Sequence, residues 1–524
     1  MDIISGQALF FMFCFILPCL LLFSTTRFKQ GSLRSTTPPG PPRLPIIGNI
    51  HQVGKNPHQS FANLSKTYGP IMSLKFGSLK TVVITSPEAA REVLKTHDQV
   101  LSGRYFNEAV RSINHHKVSL AFLPSSSAHW RLLRKISATQ LFSLQRIEAT
   151  KALRMKKVRE LVSFMNESSK RQEAVDISRA SFVTVLNIIS NMLFSVDLGS
   201  YDSEKPSLFQ DDVKGIMESI GKPDLANFFP FLRFLDLQGN KKKMKDYSDR
   251  LFRVFRGFID AKVAEKSSRS DPKNISESDF VDALIDLNKG DEAELNSTEI
   301  EHLLADLFVA GTDTNSSTLE WAMTELLRNP KEMVKAQAEI DRVIGQKGVV
   351  EESDISGMPY LQAVVKETFR LHPAGPLLVP RKAESDAEVL GYMVTKGTQV
   401  LVNVWSIGRD PSVWENPTRF EPERFLGKEI DVRGRDYELT PFGSGRRICP
   451  GLPLAVKIVP LVLASLLYSF NSKLPNGIVP EDLDMDETFG LSLHKTTPLQ
   501  AVPVKKRNID KKKKSEINRE VFRN

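Results

Sequence analysis

The chain has 524 residues, 41% hydrophobic and 25% charged, a globular composition that excludes a disordered or multi-spanning protein. Its net charge of +9 raises nucleic-acid binding, but residues 505–524 alone carry nine Lys/Arg against three Asp/Glu. The other 504 residues hold only +3, so the body has no basis for a nucleic-acid partner.

The first segment has no charge from Ile3 to Thr26, and about 20 apolar residues span a bilayer. Residues 1–26 therefore read as one transmembrane anchor. Arg27, Lys29 and Arg34 follow it and place the body in the cytosol. A cleaved signal peptide would want its positive charge before the apolar run. On the cytosolic side the sequons at Asn63, Asn166, Asn274, Asn296 and Asn315 are chance matches. Residues 27–46 are basic and then proline-rich, with Pro38, Pro39, Pro41 and Pro42 forcing stiff extended backbone, and read as a semi-rigid hinge. From about residue 50 to 500 no Pro/Ser/Gly-rich linker interrupts the chain, so one large core is expected, a domain over 47–504. Residues 505–524 read as a disordered basic tail. Gly48 to Lys55 is no phosphate loop, because five residues separate Gly48 from Gly54 and Asn56 follows the lysine.

Ile71 to Thr85 is rich in Val and Ile around Gly77-Ser78 and predicts a strand pair. Helical patterns dominate from Pro87. Trp130 and Arg134 lie four apart, on one helix face. Residues 140–260 suggest several amphipathic helices, and the polar stretch Glu265 to Ser278 a surface loop. Thr298 to Arg328 predicts a long helix, started by a Thr298/Glu301 capping box and stopped by Asn329-Pro330. Its middle, Ala310-Gly311-Thr312-Asp313-Thr314-Asn315, gathers glycine and short polar side chains that weaken a helix and invite a bulge. Glu367 and Arg370 share a face of the helix from Tyr360 to Leu371. Ala383 to Trp405 alternates strand-like segments.

Pro441 to Gly451 is a tight Gly-rich loop around Cys449, and the apolar run Leu452 to Phe470 behind it reads as a buried helix kinked at Pro460. Cys14 and Cys19 lie in the N-terminal apolar run. Cys449 is thus the only thiol of the body, which excludes a disulfide, a four-cysteine zinc site or an iron–sulfur cluster there. From the residues alone Cys449 is a structural thiol, a nucleophile or a metal ligand. The pattern Phe442-x-x-Gly445-x-Arg447-x-Cys449-x-Gly451 arises by chance about once in ten thousand chains of this length.

That loop resembles the haem-binding loop of the cytochrome P-450 monooxygenases. Three other motifs follow the family's order: Trp130/Arg134, Ala310 to Thr314, and Glu367/Arg370 with Arg424 in Phe420 to Phe425. The resemblance spans roughly residues 1–504. It is closest to plant microsomal members of the geraniol-hydroxylase-like group, through Phe308 to Leu327, Pro376 to Asp386 and Pro441 to Ala455. It implies a mostly helical cytochrome P-450 fold with a small β region, preceded by one transmembrane helix. By it, haem b is the cofactor and Cys449 its axial thiolate, with Phe442 and Arg447 in the same loop. Trp130, Arg134 and Arg381 become partners of the haem propionates. Thr314 helps hold dioxygen and a water, and Asp313 relays protons; Asn315 replaces the commoner Thr or Ser. Glu367, Arg370 and Arg424 form a structural clamp.

The implied function is insertion of one oxygen atom from O2 into an apolar small molecule. No flavin or nicotinamide fingerprint is present, so electrons come from NADPH through a separate cytochrome P-450 reductase, with cytochrome b5 as an accessory donor. The implied place is the endoplasmic reticulum membrane, single-pass, with the catalytic domain cytosolic. Phe308, Ala310, Leu377, Leu378, Phe489 and Leu491 resemble pocket-lining positions, and residues 101–123 close the pocket. This apolar lining suits a small hydrocarbon with one hydroxyl, and together with the resemblance it favours a monoterpenol such as geraniol or linalool, with a diterpenoid, phenolic or xenobiotic as alternatives. A haem isomerase or dehydratase is the rival within the fold, and a non-catalytic membrane-tethered haem-binding protein the rival outside it.

Overall fold

A computed structural model describes residues 37–202, 208–268, 278–288, 294–475 and 477–506. The expected anchor at 1–26, and all but the first two residues of the expected tail, lie outside the described residues.

The body is mostly helical with a small β region, as the sequence predicts. The strand pair around Gly77-Ser78 forms as β1 (Ile71–Phe76) and β2 (Leu79–Ile84). They join β3 (Gly103–Arg104), β4 (Arg381–Lys382) and, after the hairpin β5 (Ala387–Val389) and β6 (Tyr392–Val394), β7 (Gln399–Val402). The sheet runs β1-β2-β7-β4-β3, with only β2 and β7 parallel. A last hairpin pairs β8 (Glu487–Phe489) with β9 (Leu493–Lys495). The proline-rich segment is laid on the body in its second half. Pro38 and Pro41 are buried, and the Ser73 N–H donates to the Pro39 carbonyl at 2.7 Å.

Five helices frame the interior: α1 (Ala128–Gln140), α2 (Ile177–Phe194), α3 (Ser297–Arg328), α4 (Pro359–Leu371) and α5 (Leu452–Ser469). The axis of the fold is α3, buried along most of its length, with α2 packed beside it. Gly311 makes that approach close: a Cβ there would stand 3.3 Å from Ile189. Both α2 and α5 are apolar enough to cross a membrane by composition, but both are largely buried core helices.

Three expectations change in detail. The capping box of α3 is Asn296 with Glu299, because Asn296 accepts from the Glu299 N–H at 3.0 Å while the Glu299 carboxylate takes the Asn296 N–H. Thr298 lies already inside the helix. No bulge interrupts its middle: the short polar side chains bond back one turn instead, Thr312 to Phe308, Thr314 to Ala310 and Asn315 to Gly311. The expected loop at 265–278 begins late, since Glu265 to Ser268 complete the helix Asn240–Ser268. Pro460 sits inside α5 without ending it. The ring removes one N–H donor there.

Candidate active site

The Cys449 loop docks on the segment after residue 93. Gly445 has φ +69°, and a Cβ on it would stand 2.1 Å from the Leu94 carbonyl oxygen. Only glycine accepts both conditions. The Arg446 N–H donates to Asp98 at 3.1 Å, and the Cys449 N–H to the Phe442 carbonyl at 3.0 Å. The Phe442 ring stands edge-on to Phe369 of α4, 5.2 Å between centroids. Immediately after the loop α5 begins, with Gly451 as its N-cap.

Cys449 faces an internal cavity of about 320 Å³. Burial pushes its thiol up, while the Gly451 N–H, the Arg134 guanidinium and the Leu452 N–H pull it back. A helix N-terminus and a cation aimed at one sulfur favour its anionic form. Across the cavity runs α3, presenting Ala310, Gly311, Thr314 and Asn315.

Four arginines line the same cavity: Arg104, Arg134, Arg381 and Arg447. None of them forms an ion pair among the described residues. Arg104 and Arg381 are directly opposed across β3 and β4, an unfavourable placement for like charges. Burial holds Arg381 down to about 10, and burial with the nearby Arg381 pushes Arg447 down to about 9. Arg104 is lowered by burial and then by Arg447 and Arg381. Such a cluster is stable when an anionic ligand lies in the cavity.

The donors are not equally available. Trp130, expected beside a propionate, spends its indole N–H on the Leu120 carbonyl at 3.0 Å. It contributes its ring, over which the Arg447 guanidinium lies at 4.9 Å. Arg447 in turn donates to the carbonyls of Ser102, Leu120 and Leu123, so it ties the 101–123 segment to the thiol loop. Arg381 makes only long bonds, 3.3 Å to the Leu101 carbonyl and 3.4 Å to that of Ser444. Arg134 is half-buried, and burial lowers it. Arg104 donates to the carbonyls of Ala121 and Val379. The sequence reading missed Arg104, and only its cross-strand partner Arg381 reveals its place.

Of the expected pocket residues, Ala310, Leu378 and Leu491 line this cavity. Leu377 and Phe489 line an adjoining cavity of about 190 Å³ that shares Leu378 and Leu491 with the first. Phe308 does not reach the cavity wall. It is fully buried in the core, edge-on to Phe209 and Phe255. Two residues turn a helix side chain by about 200°, which separates Phe308 from the cavity-facing Ala310. Asp313 also points away. Its carboxylate accepts from the Ser492 hydroxyl and pairs with His494 Nε2 at 3.1 Å, on the hairpin side of α3. Burial lowers His494, but the Asp313 charge outweighs it and leaves the imidazole raised.

The clamp residues come together. Glu367 takes two bonds from Arg370, at 2.6 and 2.7 Å, and one from Arg424 at 3.0 Å, while the Glu421 N–H donates to it at 2.8 Å. Both Glu367 and Arg370 are fully buried. The remaining Arg370 donors reach the carbonyls of Gly408, Pro417 and Arg419, which shape the chain leading into the thiol loop.

A family model described as cytochrome P450 matches residues 38–500. The chain is a cytochrome P450. It is 74% identical over 511 residues to cytochrome P450 76C4 of Arabidopsis thaliana, covering 97% of this chain and 100% of that relative. It is 48% identical over 487 residues to geraniol 8-hydroxylase of Catharanthus roseus, covering 92% and 98%. It is 45% identical over 490 residues to ferruginol synthase of Isodon rubescens, covering 94% and 99%. Members of this family are haem-thiolate monooxygenases that take electrons from a redox partner and act on small molecules with O2. Membership sets aside the non-catalytic reading. The family's cofactor is haem b, and the residues of this P450 fit it: a lone thiol flanked by helix N–H groups, and arginines in surplus for two propionates. Plant members are typically anchored in the endoplasmic reticulum.

Proposed function

We propose that this P450 hydroxylates an acyclic monoterpenol of the geraniol or linalool type. The observation that carries the reading is the apolar share of the main cavity's lining, which includes Ala305, Val309, Ala310, Leu378 and Leu491. Such a wall suits a small hydrocarbon and offers little to a charged one. The relative named geraniol 8-hydroxylase supports the choice. A diterpenoid is the second reading, supported by the adjoining 190 Å³ cavity and by the relative named ferruginol synthase.

Bound haem supplies dioxygen activation and oxygen transfer. The chain's residues position and protect that chemistry. Cys449 would provide the thiolate ligand, and Arg134, Arg381 and Arg104, which line the same cavity, would hold the propionates. Thr314 presents its hydroxyl to the cavity while donating to the Ala310 carbonyl at 2.7 Å, which leaves its oxygen free to accept from a water. Asp313 is held behind α3 by His494 and Ser492. Thr314→Ala is expected to keep haem bound and to divert reducing equivalents into peroxide or water, lowering product formed per NADPH severalfold. Unchanged coupling would remove Thr314 from this role.

Electrons reach the site from NADPH through a separate cytochrome P-450 reductase, with cytochrome b5 as accessory donor. The place of the enzyme is the cytosolic face of the endoplasmic reticulum, held by the segment 1–26. One exposed apolar face supports this. Ile46 is 70% exposed, Phe231 69% and Phe234 80%. The two segments carrying them flank the β1–β2 turn, where Gly77 bonds to the Ile47 carbonyl and Ser78 to that of Phe228. Phe228 also lines the adjoining cavity, and an exposed apolar patch of this kind suits a membrane surface.

A substrate panel with reconstituted reductase, read by product mass, tests the assignment. Hydroxylation of geraniol or linalool is expected. Turnover of a fatty acid or phenolic acid, with none on any terpenol, would overturn the substrate while leaving the haem chemistry intact.

A further inference from the structure

The main cavity has a polar corner that neither the thiol loop nor the arginine cluster explains. Asp306 and His115 both line it. His115 Nε2 lies 2.9 Å from Asp306 Oδ1, and the Ser119 hydroxyl is 2.7 Å from Oδ2. The Ala121 N–H reaches Oδ2 at 3.4 Å. Behind them His302 Nδ1 stands 2.6 Å from His115 Nδ1. Burial, and then His115, hold His302 down at about 4, so it is neutral at pH 7. One Nδ1–H joins the two imidazoles, and His115 Nε2–H donates to Asp306.

Asp306 is thus a fixed acceptor. A carboxylate offers about four lone-pair sites, and three donors of the chain approach this one. Its side chain is 10% exposed, and it opens to the cavity beside Ala305, Val309 and Ala310. An acid in that wall faces an apolar space, where a buried alcohol without a partner would be costly.

We propose that Asp306, oriented by His115 and Ser119, is the anchor for the hydroxyl of an apolar alcohol and thereby selects which end of the substrate is oxidised. The inference rests on the reading above that the substrate is such an alcohol. Thr314 lies eight positions after Asp306 on α3, about 12 Å at 1.5 Å per residue. With its hydroxyl donated to Asp306, an extended alcohol lies along α3 and directs its far end toward Thr314 and the thiol side. Atoms near the hydroxyl are held away.

The test is equilibrium dialysis of the haem-loaded full chain against geraniol, geranyl methyl ether and the hydrocarbon lacking the oxygen. The wild-type protein is expected to bind the alcohol roughly tenfold or more tighter than the ether, the effect of a hydrogen bond to a charged acceptor. In Asp306→Leu that ratio is expected to fall to near one, with affinity for the ether almost unchanged. Equal wild-type affinity for alcohol and ether overturns the proposal with no variant needed, even where geraniol is turned over. A retained preference in Asp306→Leu overturns it too, as does an equal loss for alcohol and ether, the signature of a purely structural pin. If no monoterpenol binds but a diterpenol or phenol does, with a preference lost in Asp306→Leu, the substrate reading fails and the anchor stands.

Discussion

Cys449→Ser is expected to abolish turnover and the thiolate-type absorption of the reduced, carbon-monoxide-bound protein. The substitution removes one sulfur and little else. The loop's shape rests on Gly445 against Leu94, on the Cys449 N–H to the Phe442 carbonyl and on Arg447, none of which involves the thiol. A serine hydroxyl stays protonated in the same field of N–H groups and Arg134, because its acidity is far below that of a thiol. It therefore cannot supply the electron-rich axial ligand on which O–O cleavage depends. The spectrum of the reduced protein with carbon monoxide decides the matter: a serine protein that kept the thiolate-type band would disprove the assignment of this loop.

Glu367→Ala is expected to cost about 3–5 kcal/mol, the usual effect of stranding a buried charge. Here the fully buried Arg370 would lose its carboxylate, while Arg424 keeps Glu421 at 3.2 Å. A typical domain has about 5–15 kcal/mol of stability in total. Most of the protein should fail to fold or to take up haem, measured as haem per chain after expression and as unfolding midpoint. Arg424→Ala should be milder. Arg424 gives Glu367 one bond, and Arg370 still holds the carboxylate with two. Near-normal stability and haem content in Glu367→Ala would show that the cluster does not hold the fold.

How much of this was legible in advance differs by residue. The loop around Cys449 could be read directly, because a lone thiol among glycines at fixed spacing has few physical uses. The Glu367/Arg370 pair was readable only through its neighbours, since the same spacing recurs at solvated positions such as Glu88/Arg91. The apolar pocket was half legible. Ala310, Leu378 and Leu491 reach the main cavity, but Phe308 turns into the core although it lies only two residues from Ala310. Asp306 carried a signal that went unused: it is a charge inside the apolar run Leu303 to Phe308.

The sequence by itself determined what acts through chain-local chemistry: the helical class, the strand pair at Gly77, the single body thiol and the stop of α3 at Asn329-Pro330. Only the tertiary structure decided what depends on distant segments meeting. It set Arg104 opposite Arg381, took the Trp130 N–H for Leu120, turned Asp313 toward His494 and brought His115 onto Asp306. The physical reason is one of range. Backbone preference and hydrophobic period are set within a few residues, whereas a side chain's partner is whichever group packing delivers, for Arg446 the carboxylate of Asp98, 348 positions away along the chain.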